Sequence, residues 1–213
     1  MFESISKQLI QYLCVSTQSV HKMKSVGVTG GIGSGKSIVC KIFEVMGFPV
    51  FYADAEAKKC MVEDPDLISG VKQLLGENAY INKELNRSFV AEQIFSNTDL
   101  KLKMDALVHP AVYRSFENWK AQQNSDLVFN ESALLFETGS HERFDEVILV
   151  VADLETRLSR VMKRDNVKEE AVLGRIQHQM LDEDKLKMNP YVIENDDHQM
   201  LIPQILKFIE ETR

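Results

Sequence analysis

Cysteine is scarce in this 213-residue chain, and its three copies, Cys14, Cys40 and Cys60, are odd in number and stand in no metal-ligand spacing. That pattern argues against a disulfide framework and fits reduced thiols in a cytoplasmic protein. Long apolar runs are also missing. No stretch nears the ~20 apolar residues of a membrane span, and Lys7, Gln8, Gln11 and Gln18 interrupt the apolar centre that a secretion signal in the first 22 residues would need. Net positive charge is the third absence: 25 Lys and Arg against 32 Asp and Glu leave −7. A generic nucleic-acid or membrane-surface binder needs a basic face, so any polyanion site here has to be local. Two nucleotide-reading motifs fail as well. Gly31 and Gly33 are followed at the third glycine position by Lys36, which breaks the dinucleotide fingerprint G-x-G-x-x-G. The nearest string to a guanine-reading N-K-x-D, Asn82-Lys83-Glu84-Leu85, lacks the aspartate.

Against these absences stands one dense motif. Of ten glycines in the chain, five fall within SVGVTGGIGSGKS, residues 25–37, and four of these, Gly30, Gly31, Gly33 and Gly35, lie in the stretch that completes G-x-x-x-x-G-K-S. This is the phosphate-binding loop. Glycines let successive amide N–H groups turn inward around an anion, so the backbone of Gly31, Ile32, Gly33, Ser34 and Gly35 is expected to cradle nucleotide phosphates. Lys36 then reaches the β and γ phosphates, Ser37 is placed to ligate Mg²⁺, and the following helix points its positive dipole end at the same charge. The flanks agree: Val26 and Val28 alternate as a strand before the loop, and Val39, Ile42, Phe43 and Met46 recur at helical spacing after it.

At 44% hydrophobic, the chain has enough apolar residues for one domain with a full core. Residues 1–22 carry a partial helical stripe (Ile5, Leu9, Ile10, Leu13) and read as an appended helix or as sequence upstream of a domain that begins at residue 23. Gly47 closes a turn, and Phe48 to Tyr52 reads as a second strand that delivers Asp54 to its carboxyl end, where an open parallel sheet binds ligands. Two readings of Asp54 stand: an acid facing the phosphates, and the N-cap of a helix from Ala55 to Met61. Residues 65–123 read as helical throughout. With no strong strand run, residues 55–124 exceed a plain crossover and predict an inserted helical subdomain that shapes an acceptor site. Arg87 and His109, the latter at a helix end before Pro110, are its candidate binding residues, with a solvated charge and a packing histidine as the alternatives.

Residues 126–131 and 146–152 resume the sheet, the second continuously apolar as a doubly buried parallel strand should be. Glu131 ends its strand beside the expected phosphates, as a water-mediated magnesium holder or an ordinary strand-end acid. Asp153 predicts an N-cap, after which Arg157, Arg160 and Arg164 share one helix face. Asn166 with Glu169 forms a capping-box pattern opening a helix that carries Arg175 and Gln179. Residues 155–185 thus read as an arginine-bearing lid or as a solvated cationic face. Residues 191–194 supply a last strand, and Asp197 is expected to cap the final helix.

In this order and spacing, VTGGIGSGKS, Ala53-Asp54, Leu85-Asn86-Arg87, Val108-His109-Pro110, Leu134-Leu135-Phe136-Glu137, Arg160/Arg164-Asp165, Arg175 with Gln179, and Val192-Ile193-Glu194-Asn195 resemble the dephospho-coenzyme A kinase family from Lys24 onward. The resemblance implies an α/β nucleoside-monophosphate-kinase-like fold with a five-stranded parallel sheet, a helical acceptor domain and a lid. It implies a kinase using ATP and Mg²⁺ to phosphorylate the ribose 3′-hydroxyl of dephospho-coenzyme A, with no nucleic-acid or membrane partner, as a cytoplasmic monomer or weak homo-oligomer. In that scheme Arg160 and Arg164 close over the γ-phosphoryl, Asp54 takes the acceptor's proton, and Arg87, His109 and Glu137 join Asp54 in acceptor binding. Arg157 receives no role and is expected to matter less. Three departures stand out. Tyr52 replaces the first acid of a D-x-D, Glu131-Ser132-Ala133 replaces D-x-P, and Asn189-Pro190 replaces the alanine-aspartate pair before the last strand. A kinase for another acceptor, such as a nucleoside monophosphate, and a non-catalytic nucleotide binder are the rival functions.

Overall fold

The computed structural model describes residues 23–95 and 97–213. The leader to Lys22, with Cys14, and Ser96 lie outside them. Five parallel strands form the central sheet in the order β2-β5-β1-β6-β7: β1 (Lys24–Thr29), β2 (Val50–Tyr52), β5 (Leu127–Glu131), β6 (Glu146–Val151) and β7 (Tyr191–Glu194). Val26 pairs with Phe129 on one side of β1 and Val28 with Ile148 on the other. β1 is therefore central, and the loop after it opens at the carboxyl edge between two chain directions, where α/β sheets bind ligands.

Both faces of the sheet are covered, which is why its strands are apolar throughout. Helices α1 (Lys36–Val45) and α9 (Leu201–Thr212) cover one face. There Phe43 stacks on Phe129 with centroids 3.8 Å apart, and Phe208 meets both rings. On the other face Phe51 and Val128 meet Phe116 and Trp119 of α5 (Thr98–Lys120). β2 begins at Val50 rather than Phe48, because Phe48 turns its N–H to the Phe43 carbonyl at 3.0 Å and buries its ring with Phe43 and Phe129.

Between β2 and β5 run α2 (Ala53–Glu63), α3 (Pro65–Leu75), a 3₁₀ turn, β3 (Tyr80–Ile81), β4 (Glu84–Leu85), α4 (Arg87–Phe95) and α5. Residues 65–123 are thus not helical throughout. A small antiparallel hairpin interrupts them, turning through Asn82 and Lys83, both at positive φ. Strands of two residues carry no apolar run that sequence periodicity could detect. This segment packs a core of its own around Leu67, Val71, Tyr80, Val90 and Met104. Asn97 caps α5 by accepting the Leu100 N–H at 3.1 Å. The helix continues through Pro110 to Lys120, so His109 sits mid-helix and not at an end. An interior proline costs a helix about 3 kcal/mol; here burial of Ala111 and Phe116 just beyond offsets it.

Helices α6 (Leu154–Asp165), α7 (Glu169–Ile176) and α8 (Asp182–Leu186) lie between β6 and β7. Asp153 caps α6 through the Thr156 N–H at 2.8 Å. Asn166 does not open α7: in the left-handed region at φ 52° it closes α6, and Lys168 stands at the start of α7 with no side-chain cap. Asp197 does not cap α9 either, because the helix starts four residues later and Asp197 is itself left-handed at φ 67°. Asn and Asp serve turns of this kind as readily as N-caps, so their identity alone cannot choose.

The Phe43–Phe129 stack joins α1 to the sheet directly behind the loop. Phe129→Ala should lower the unfolding free energy by about 3–5 kcal/mol, the range for truncating a buried aromatic. Urea melts of the pair of proteins measure it, and a loss under about 1 kcal/mol would show that the face collapses without that ring.

Candidate functional site

The loop from Gly30 to Ser37 leaves β1 and enters α1. Gly33 and Gly35 hold φ of 82° and 93°, a region that side chains disfavour. Gly31 is needed for a different reason, since a Cβ there would overlap the Arg157 guanidinium. Outer partners fix the loop. The Ile32 peptide is held at both ends: its N–H donates to Gln179 Oε1 at 2.8 Å, and its carbonyl accepts from Arg157 Nε at 3.0 Å. The Ser34 carbonyl accepts from Asn195 Nδ2 at 2.8 Å. Lys36 turns its ammonium back to the Gly30 carbonyl at 2.8 Å. Ser37 is exposed on the first turn of α1.

Charge gathers around Lys36. Burial lowers its proton affinity and nearby Lys185 lowers it further, while Glu131 and Asp54 oppose both. Burial raises the Glu131 carboxyl above the ordinary range and Asp54 adds to the shift, with Lys36 opposing. The loop lysine and the strand-end acids of β2 and β5 are therefore one electrostatic group, as the positions of Asp54 and Glu131 in the sequence imply. The cap reading of Asp54 fails. α2 begins at Ala53, its N-cap is Tyr52 with no side-chain cap bond, and Asp54 lies inside the first turn. Tyr52, standing where an acid was expected, has its phenol pushed up to about 12 by burial and by the charges of Cys40, Glu44 and Glu131.

Asp54 and His109 line one cleft of about 260 Å³ together with Tyr113, Asn130, Ser140 and Arg143. Asp54 is the only carboxylate in that lining. Arg87 is not in it; it is exposed at the first residue of α4, beside the β3–β4 hairpin. Glu137 is not in it either. One of its carboxylate oxygens accepts the Met180 N–H at 3.0 Å and lies 3.2 Å from Lys185 Nζ, an ion contact out of line for a hydrogen bond.

The three arginines of α6 do not form a free cationic face. Arg157, only 7% exposed, adds an ion pair to Asp182 at 3.0 Å to its bond with Ile32. Arg160 donates to the Asn195 carbonyl at 2.9 Å and the Gly33 carbonyl at 3.5 Å, and pairs with Asp197 at 2.7 Å. Arg164 pairs with Asp165 at 2.7 Å, an acid shared with Arg175, and makes no bond to the loop. Gln179 lies beyond the end of α7 and so does not share a helix side with Arg175. Lys185, fully buried, lies within ion contact of both Glu137 and Asp182. Sequence reasoning missed Arg157, Asn195 and Lys185. Arg157 carried the one available signal, a helical spacing that put it on the same face as Arg160.

Among the described residues no group of three or more His, Cys, Asp and Glu is placed to hold a metal. The donors near the loop are hard oxygens: the Ser37 hydroxyl, the Asp54 and Glu131 carboxylates, and the buried Thr29 hydroxyl, which has no hydrogen-bond partner. Such a set suits a cation that takes one or two protein oxygens and completes its shell with phosphate and water, as Mg²⁺ does.

A dephospho-CoA kinase family model matches residues 24–200. A dephospho-CoA kinase of Bacteroides fragilis is 38% identical over 185 residues, covering 86% of this chain and 90% of the relative. Among solved structures, a protein titled TT1252 from Thermus thermophilus superposes with a TM-score of 0.76 at 33% identity, over 89% of this chain and 95% of that one. A dephospho-CoA kinase from Campylobacter jejuni gives 0.64 at 26%, over 89% and 97%.

Two outcomes follow from this geometry. Arg157→Ala leaves the Ile32 carbonyl without its partner and Asp182 with only its 3.9 Å contact to Lys185, so it should cost about 3–5 kcal/mol of stability and weaken ATP binding by calorimetry; a wild-type melt and affinity would make the guanidinium a bystander. Glu131→Gln should do the reverse to stability. A carboxyl raised by burial favours the fold when protonated, so wild type forfeits stability as pH rises through its folded pKa. The mutant should melt higher at pH 7–8, and the gain should vanish near pH 4.3, the unperturbed value. A gain unchanged at low pH would point to packing instead.

Proposed function

The chain belongs to the dephospho-CoA kinase family, and from that premise we propose how its own residues divide the work. The reaction is phosphoryl transfer from ATP to the ribose 3′-hydroxyl of dephospho-CoA, the last step of coenzyme A biosynthesis, on a P-loop kinase fold. The amides of Gly31, Gly33 and Gly35 hold the ATP phosphates directly, joined by those of Ile32 and Ser34 as they exchange Gln179 Oε1 and the Gly31 carbonyl for phosphate oxygens. Lys36 leaves the Gly30 carbonyl for the β- and γ-phosphate oxygens, which as full charges are the stronger acceptors. The groove lined by Asn195, Met200 and Leu201, which abuts the loop through the Asn195–Ser34 bond, takes the nucleotide's base.

Mg²⁺ would be held by Ser37, with Asp54 and Glu131 as the further oxygen donors near the loop, and would supply charge neutralisation to the phosphates. Arg160 already lies against the Gly33 carbonyl and exchanges that contact for the transferring phosphoryl group. Arg164, tied to Asp165, acts by fixing the outer turn of the lid. His109 orients the acceptor in the cleft, and Arg87 meets its outer part from the hairpin. Glu137 holds the lid in register through Met180 and Lys185. Residues 55–124 serve as the acceptor-binding insertion and residues 155–185 as the lid of one domain that starts at residue 23. The enzyme works in the cytoplasm as a monomer or weak homo-oligomer. Cys40 and Cys60 are buried there as free thiols, both made harder to deprotonate by that burial.

One observation carries this reading: Asp54 alone brings a carboxylate into the cleft, while its charge is felt by Lys36 in the phosphate loop. It is the group placed to take the proton of an attacking hydroxyl. Asp54→Asn should therefore lower turnover roughly 10²- to 10⁴-fold, the range for a lost general base, with ATP affinity and melting temperature near wild type. The assay supplies ATP, Mg²⁺ and a panel of acceptors, dephospho-CoA and nucleoside monophosphates among them, with products identified by mass. A near-wild-type rate would remove Asp54 from the chemistry.

A further inference from the structure

Arginine is spent almost entirely on aspartate in this chain. Arg114, Arg157, Arg160, Arg164, Arg175 and Arg213 each form an ion pair with one. Among the described residues only Arg87 and Arg143 have no carboxylate within ion-pair distance. Arg87 lies outside the cleft, and Arg143 lines it. Arg143 is exposed at the lining of the cleft, and a guanidinium left unpaired there is available to an anion the protein does not itself supply.

How Arg143 is held fits that use. It ends the 3₁₀ turn Ser140–Arg143, and its guanidinium carbon sits 4.2 Å from the centroid of the Tyr113 ring. Stacking occupies the face of the guanidinium and leaves its N–H edge free, the edge that meets phosphate oxygens two at a time. Tyr113 and His109 are four residues apart on α5, so they stand one turn apart on the same wall of the cleft. Ser140 adds a hydroxyl on the Arg143 side.

The acceptor's chemistry supplies the missing anion. Dephospho-CoA carries its reacting 3′-hydroxyl and its 5′-diphosphate on the same ribose, so a sugar presented to Asp54 leaves a doubly charged diphosphate one sugar's breadth away. Nothing else lining the cleft is an arginine or lysine, and the phosphate loop is committed to ATP. We infer that Arg143, stacked on Tyr113, is the diphosphate-binding residue of the acceptor subsite and makes the enzyme selective for acceptors that bear a 5′-diphosphate. This inference rests on the assignment of the cleft to dephospho-CoA.

Steady-state kinetics on the full chain test it, with wild type, Arg143→Ala, Arg143→Lys and Arg87→Ala, and with adenosine as a competitive inhibitor lacking the diphosphate. Arg143→Ala should raise KM for dephospho-CoA roughly tenfold to a hundredfold, as loss of a charge-assisted bond to phosphate does. KM for ATP and the inhibition constant for adenosine should stay within about twofold, the melting temperature should stay near wild type, and Arg143→Lys should recover part of the loss. An unchanged KM for dephospho-CoA would overturn the inference, and so would an equal loss of adenosine affinity, which would assign Arg143 to the nucleoside. A large effect at Arg87 with none at Arg143 would move the diphosphate to the hairpin. If wild type fails to phosphorylate dephospho-CoA at all, the functional reading falls first and takes this inference with it.

Discussion

A loop that must aim its amides at an anion has to be braced from outside, because each amide spent inside the loop, as the Ser34 N–H is on the Gly31 carbonyl at 3.1 Å, is one fewer for the anion. Everything else here depends on that constraint. The Ile32 peptide is caught between Gln179 and Arg157, and Asn195 holds the next carbonyl but one, that of Ser34. Close packing behind the loop explains a glycine that φ does not require, since a Cβ on Gly31 would collide with the Arg157 guanidinium, and it adds to the constraint at Gly33, where a Cβ would press the Arg157 backbone and Val161. These braces come from α6, from the segment after α7 and from the end of β7. The loop and the helices between β6 and β7 are consequently one mechanical unit, and a phosphate bound inside the loop is felt by the helices outside it.

The brace is ionic and buried, which is an expensive way to build. Arg157, Asp182, Lys185 and Glu137 form a chain of two cations and two acids, with Lys185 fully buried. Desolvating four charges is repaid only when each meets its opposite in good geometry. An apolar replacement could match the stability, but it would not hold the carbonyl of Ile32 or place positive charge behind Lys36. Lys185 makes Lys36 easier to deprotonate, and the acids of β2 and β5 pull the other way. The ammonium is thus poised between opposing charges in the resting loop and has only the Gly30 and Gly31 carbonyls to lose on meeting phosphate.

How much of this was legible in the sequence follows from the range of each signal. The loop, its strand and its helix are contiguous, so the spacing of Gly30, Gly35 and Lys36 specified them. The five parallel strands announced themselves as apolar runs, and the strand-end positions of Asp54 and Glu131 placed two acids beside the phosphates. Local polar signals did worse. Asn166, Asp197 and Asp54 are each readable as a helix N-cap, and none of them is one: two sit at positive φ, Asn166 there closing α6, and one lies inside its helix. His109 was read as helix-terminal because Pro110 follows, and tertiary packing of Ala111 and Phe116 carried the helix through. Least legible was the division of labour among arginines on α6. Three residues at helical spacing look alike in sequence, while contacts 125 residues back along the chain make Arg157 a buried brace, leave Arg160 at the loop and turn Arg164 outward.

The pairing of arginines also bears on how a protein of net charge −7 handles two polyanionic substrates. At physiological salt the Debye length is about 8 Å, so the excess of acid acts weakly on a phosphate still in solution and strongly on one entering a partly desolvated cleft. Every acid near the site therefore weighs on both substrates, as Asp54 and Glu131 already weigh on Lys36. Pairing most arginines with aspartate keeps the rest of the surface from competing for phosphate. Among the described arginines those left unpaired are Arg87 at the hairpin and Arg143, stacked on a tyrosine in the cleft, while Arg160 beside the loop stays paired with Asp197. Selectivity in such a design comes from where arginines are left unpaired and not from how many the chain contains.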